Sequence, residues 1–207
     1  MQKYDSVIFD LDGTLWDAVG AVVEIWNKAL VSVGIEPTMN YKELSRCMGL
    51  RIEQIFDRVI PFATPEQREL IKEKCILTEN EYLADVGGIL YEGVEETLAK
   101  LKESHKLYVV SNCQDGYIQA FFKAHSLEKY FDGFECAGRT GLSKGENIRL
   151  VADREGLRSP VYVGDTISDY QAAQQAGVPF ILAGYGFGEA ENASVTIDSF
   201  GELLSKV

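Results

Sequence analysis

The stretch VIFDLDGTLWDA, residues 7–18, decides how the rest of the chain is read. Three apolar, β-favouring residues run straight into Asp10-Leu11-Asp12-Gly13-Thr14, so a strand with no polar position of its own ends in two carboxylates. In extended backbone the i, i+2 spacing puts Asp10 and Asp12 on the same side of the strand end, where like charges repel and burial penalises both. A divalent cation shared by Asp10 and Asp165 would offset the repulsion between those two and let Asp10 stay ionised as a nucleophile while Asp12 exchanges protons beside it. Gly13 permits the sharp turn that follows. Alone, an Asp-x-Asp followed by Gly is an ordinary solvated turn, so the weight of the reading rests on what the other strand ends bring.

Outward from residues 6–9, apolar runs that end in Gly, Asp, Ser or Asn recur at 107–110, 161–163 and 180–182, with weaker ones at 133–136 and 194–197. Helical patterns separate most of them. The near-continuous hydrophobicity of LYVV and VYV predicts strands covered on both faces, hence an α/β core with a doubly wound parallel sheet. Between Trp16 and Val86 no strand is expected. That stretch instead carries helical patterns at 18–33, 41–47, 52–59 and 65–84, broken by Gly34, by MGLR and by PFATPEQ with Pro65 at a helix start. It is too long for a loop. The expected organisation is a core of residues 1–15 and 87–207 and an inserted all-helical cap of residues 16–86, with hinges near 15–17 and 86–88.

The 207 residues, 46% of them hydrophobic, suffice for one substantial domain with an insertion. Twenty basic residues against 32 acidic give a formal charge of −12, which opposes nucleic acid and anionic membrane surfaces as partners. No apolar stretch is long enough to span a membrane, and the first residues do not read as a signal peptide, so a cytoplasmic protein is expected. The cysteines at 47, 75, 113 and 136 form no CxxC pair and read as reduced thiols.

In open α/β sheets the ligand site lies beyond the carboxyl ends of the strands. Collected there are Asp10 and Asp12, Ser111 and Asn112, Asp165 and Asp169, with Lys144 at the start of a helical pattern. Hard carboxylate oxygens in this number suit Mg2+, which takes one or two protein carboxylates plus phosphate oxygens. Ser143-x-x-Glu146 and Thr166-x-x-Asp169 also match capping boxes, so Asp169 has a purely structural reading that is compatible with the other.

DLDGTL at 10–15, SN at 111–112, Lys144 and GDTISD at 164–169 resemble, in order, the four motifs of the haloacid dehalogenase superfamily of phosphohydrolases. The helical insertion and the GYGFG stretch at 184–188 look like those of its phosphoglycolate phosphatase and β-phosphoglucomutase branch. The resemblance implies a Mg2+-dependent phosphatase that hydrolyses a small phosphorylated metabolite through an aspartyl-phosphate, as a monomer or homodimer. Asp10 would be the nucleophile and Asp12 the general acid and base, also offering its main-chain carbonyl to the metal. Asp165 would complete the metal ligands, and Asp169 would hold a water of the ion or orient Lys144. Ser111, with the backbone N–H after it, would hold phosphate oxygens and Lys144 would neutralise their charge. A phosphomutase of the β-phosphoglucomutase type and a catalytically idle binding member are the rival readings.

The substrate-binding expectation extends to Asn112, Gly13 and the SRCMGLR segment, whose Arg46 and Arg51 flank a glycine and are expected to face the core across a cleft. His105 and His125 read as exposed or helix-terminal rather than as ligands, and GYGFG as a flexible loop. Glu92 stands in YEGV where the branch commonly has Tyr-Pro-Gly-Val, which bears on the stiffness of the second hinge.

Overall fold

The structure is a computed structural model that describes residues 3–207. The chain begins with β1 (Ser6–Phe9) and β2 (Trp16–Asp17), and then forms four helices, α1 (Val19–Ser32), α2 (Tyr41–Ser45), α3 (Ile52–Val59) and α4 (Pro65–Val86). It returns through β3 (Ile89–Leu90) and continues with α5 (Val94–Lys102), β4 (Lys106–Ser111), α6 (Tyr117–His125), β5 (Gly133–Cys136) and the short α7 (Ala137–Thr140). The remainder is α8 (Lys144–Arg154), β6 (Pro160–Gly164), α9 (Ile167–Ala176), β7 (Phe180–Ala183) and β8 (Thr196–Ile197).

Six strands form one sheet in the order β5-β4-β1-β6-β7-β8, and every pairing is parallel. Period-two alternation explains why the strands are apolar throughout. In β1, Val7 and Phe9 join one buried cluster with Leu98, Phe121 and Phe200, whereas Ile8 joins the other with Ile148, Val151 and Ala173. The central place of β1 has a second consequence. Its neighbours are β4 and β6, in register Phe9 to Val109 and Phe9 to Val163, so the residues that follow these three strands emerge side by side.

One expectation is corrected. Trp16 and Asp17 form a two-residue antiparallel ribbon with Leu90 and Ile89, so a short strand exists where none is expected. No periodicity reveals an element of two residues. Its one sequence trace is Gly88, where a Cβ would lie 2.8 Å from the Asp17 carbonyl and 2.8 Å from the Trp16 ring. The helices agree closely with the patterns, except that α2 stops at Ser45 and α4 runs on to Val86, where Gly87 ends it with φ of +71°.

The entry to α4 follows directly from composition. Thr64 accepts from the Gln67 N–H at 3.2 Å, the Gln67 side chain accepts from the Thr64 N–H at 3.0 Å, and Pro65 occupies the first helical position, where no N–H is needed. Replacing Thr64 with Ala is expected to cost about 1 kcal/mol in chemical denaturation, the usual worth of such a cap. An unchanged denaturation midpoint would contradict this account of the helix start.

Candidate active site

Asp10 follows β1, Ser111 ends β4 and Asp165 follows β6, so the sheet order alone brings them to one rim. Carboxylate oxygens of Asp10, Asp165 and Asp169 lie within 4.8 Å of one another, and all three side chains are buried. Lys144, the first residue of α8, reaches them from the side, with Nζ 2.9 Å from Asp10 Oδ1 and 2.6 Å from Asp169 Oδ1. Asp169 serves two purposes at once. Its Oδ2 closes the capping box of α9, accepting from the Thr166 N–H at 3.0 Å and the Thr166 hydroxyl at 2.6 Å, which leaves Oδ1 for the lysine.

The charges do not balance within the protein. Three carboxylates against one ammonium leave two negative charges, and each pair of carboxylates this close costs about 3 kcal/mol at an effective dielectric constant of ~20. Burial, and then the charge of Asp169, push Asp10 up to about 6 despite the pull of Lys144. Burial likewise raises Asp165, helped by Asp169 and Asp10 and opposed by the Phe187 N–H. Burial alone would lower the Lys144 pKa, but Asp10 and Asp169 raise it above that of an ordinary lysine. Asp10 Oδ2 and Asp165 Oδ1 are buried without a hydrogen-bond partner among the described residues. Two orphaned carboxylate oxygens beside an uncompensated double negative charge fit a hard divalent cation.

Asp12 stands apart from that cluster. Its Oδ1 accepts from the Trp16 indole N–H at 3.0 Å and from the Tyr117 hydroxyl at 2.9 Å, while its side chain borders a cavity of about 420 Å³. Burial and the charge of Asp10 push it up to about 8, which favours its protonated form. Neither Trp16 nor Tyr117 is singled out by sequence. Trp16 lies within the opening stretch without a role of its own there, and Tyr117, over a hundred positions away, leaves no local signal.

The cavity separates α1–α4 from the rim. Ser111, Asn112 and Arg51 line it, and Asn112 Nδ2 donates across it to the Gly49 carbonyl at 2.8 Å. Arg51 donates to the Leu142 carbonyl. Two further bridges join α4 to the loop after β4: Gln114 Nε2 to Glu79 Oε1 at 2.8 Å, and Asn80 Nδ2 to the Asp115 carbonyl at 2.8 Å. Arg46 is not brought to this place. It is the exposed residue after α2 and does not line the cavity, because α2 ends before it and Cys47, not Arg46, turns inward.

Gly13 is placed beneath the acidic cluster rather than on the cavity wall. With φ of +81°, it lies so close that a Cβ would come within 2.1 Å of Asp165 Oδ2. The GYGFG stretch, expected to be a flexible loop, packs tightly against the same carboxylate. The Phe187 N–H donates to Asp165 Oδ2 at 2.7 Å, and a Cβ on Gly186 would meet Asp165 Cβ at 2.3 Å. Its glycines therefore answer close approach, not mobility. His125 ends α6 with its ring against Trp16, and His105 is buried rather than exposed; neither reaches the acidic cluster.

Residues 7–183 match the model of a family described as haloacid dehalogenase-like hydrolase. The chain is 28% identical over 216 residues to phosphoglycolate phosphatase of Photorhabdus laumondii, covering 98% of this chain and 92% of that protein. It is 29% identical over 202 residues to a 5'-nucleotidase of Pseudomonas aeruginosa, covering 91% and 86%. The crystal structure of "a predicted phosphoglycolate phosphatase" from Haemophilus somnus 129PT shares the fold, with a TM-score of 0.88 over 100% of this chain and 99% of the other at 22% identity.

Gly13→Ala and Gly186→Ala are expected to lower the melting temperature, because each forces Asp165 out of place. Gly20→Ala, in α1 with nothing near the added methyl group, is expected to leave it unchanged or raise it. Equal effects at the three positions would remove the argument that glycine is needed to seat Asp165.

Proposed function

The chain belongs to the haloacid dehalogenase-like hydrolases, and on that footing we propose that it is a Mg2+-dependent phosphatase acting on a small phosphomonoester. The observation that carries the reading is the buried trio Asp10, Asp165 and Asp169 with its two unpartnered oxygens beside Lys144. The names of the relatives, phosphoglycolate phosphatase and 5'-nucleotidase, support phosphoester hydrolysis and differ in substrate.

Asp10 and Asp165 would hold the ion, with Asp12 contributing its main-chain carbonyl. When bound, Mg2+ supplies positive charge to the transferring phosphoryl group and lowers the pKa of the carboxylates around it. The remaining work falls to the chain's own side chains. Lys144 holds Asp10 Oδ1 and orients the carboxylate, while Asp169, fixed in turn by Thr166, holds the lysine. An Asp10 oxygen attacks phosphorus as the ester P–O bond breaks, and Asp12, whose protonated form is favoured by burial, gives its proton to the leaving oxygen. The same Asp12 then takes a proton from water, whose oxygen bonds to phosphorus as the bond to Asp10 breaks. Trp16 and Tyr117 stabilise the ionised form of Asp12 between these two transfers. Ser111 offers its hydroxyl to phosphate oxygens from the cavity wall. In phosphoryl transfer, positioning and charge stabilisation dominate, and each role named here is one or the other.

Residues 16–86 act in this reading as a cap over a core of residues 1–15 and 87–207. The bridges from Asn112, Gln114, Asn80 and Arg51 would break when it opens and re-form when it closes over substrate.

Purified protein is expected to hydrolyse an aryl phosphate with Mg2+ and not after chelation, and Asp10→Asn to abolish turnover while keeping a cooperative unfolding transition. Full turnover by that variant, free of contaminating phosphatase, would refute the mechanism. Separately, Mg2+ is expected to raise the melting temperature, by about 2.7 kcal/mol of stabilisation at a hundred times Kd, and Asp165→Asn to remove the increase. A melting temperature indifferent to Mg2+ would dissociate the ion from this cluster.

A further inference from the structure

The cavity extends well beyond Asp12 and Ser111, and its far end takes no part in the proton and phosphoryl transfers assigned above. Resting on the phosphatase reading, we propose that this far end selects phosphoesters whose leaving group is uncharged and largely apolar, and rejects those that carry a second anion.

The wall contributed by α1–α4 is largely hydrocarbon. Val22 and Trp26 from α1, Leu44 from α2, Ile55 from α3 and Ile76 from α4 surround the space. A carboxylate or second phosphate entering here would lose its hydration without gaining polar partners from these side chains. The polar groups nearby do not replace it. Glu79, almost completely buried on the same wall, has both oxygens engaged, Oε2 by the Trp26 indole N–H and Oε1 by Gln114 Nε2 at 2.8 Å. Both of its oxygens are thus occupied as acceptors, and it offers an entering anion no positive charge. Asp115 adds a further acidic group to the lining.

The two basic residues on the wall are already answered. Lys72 pairs with Glu53 at 2.6 Å. Arg51 binds the Leu142 carbonyl and lies near enough to Glu53 and Glu146 for its charge to stabilise both carboxylates. The balance of the lining is thus acidic, and in the phosphatase reading the phosphoryl group is held at the other end, where Asp12 and Ser111 border the cavity. An aromatic or aliphatic alcohol fits this environment in size and polarity, since a few hundred cubic ångströms with apolar walls is the usual setting for a small organic ligand.

The test compares phenyl phosphate with 4-carboxyphenyl phosphate, and both with phosphoglycolate, as substrates of the Mg2+-loaded protein. Phenyl phosphate is expected to have a kcat/KM at least about tenfold above either carboxylated ester, a modest result for like charges brought together in a desolvated space. Calorimetry supplies a readout independent of turnover: phenylphosphonate is expected to bind more tightly than 4-carboxyphenylphosphonate. Glu79→Gln, which keeps the shape and one acceptor, is expected to narrow both ratios. Equal or better use of the carboxylated esters, with equal or tighter binding of the carboxylated phosphonate, would overturn the proposal and leave the phosphatase reading intact. Hydrolysis of none of the esters would overturn the phosphatase reading instead, and the calorimetric ratio would then decide whether the cavity still discriminates by charge.

Discussion

Three carboxylates held out of water within 4.8 Å of one another, with a single lysine between them, set the terms for the rest of the molecule. No chain gathers such charges spontaneously, because desolvation and mutual repulsion both oppose it. Here the opposition is met by three separate elements. The parallel sheet places Asp10 and Asp165 on adjacent strand ends, the capping box of α9 immobilises Asp169, and the first turn of α8 delivers Lys144. Each is an ordinary device of α/β architecture, and their convergence on one rim is what makes the site.

Much of this was legible in the sequence, for a physical reason. Buried parallel strands read as unbroken apolar runs, and the residues that terminate them can be named without knowing the strand order. Asp10, Ser111 and Asp165 are legible in that way, as are the capping boxes at Ser143 and Thr166. What escaped is what depends on approach between distant segments. Tyr117 meets Asp12 across 105 positions, Phe187 meets Asp165 through a main-chain N–H that every residue type except proline possesses, and β2 and β3 are too short for any period to show. Arg46 illustrates the converse. A helical pattern read as running to residue 47 ends at Ser45, and a shift of that size turns a candidate ligand outward to solvent.

The same bridges that define the cavity also couple its two sides. Asn112, on the rim, is tied to Gly49; Gln114 is tied to Glu79; Asn80 reaches the carbonyl of Asp115. Gly116 lies so near Asn80 that a Cβ there would come within 2.4 Å of its amide. These polar contacts sit at the mouth; behind them α4 packs along α6, and the buried residues of the helical layer, Trp26 and Phe56 among them, are continuous with those of the sheet side.

The chain has two tryptophans, and each donates its indole N–H to a carboxyl group bordering the cavity: Trp16 to Asp12 at the reacting end, Trp26 to Glu79 at the far end. Excited indole is sensitive to neighbouring acids and to the entry of solvent, so the tryptophan emission of this protein originates at the two boundaries between which a ligand would lie. The molecule carries its own pair of optical reporters, and both stand where filling and emptying of the chamber would be registered, with no dye attached and no residue replaced.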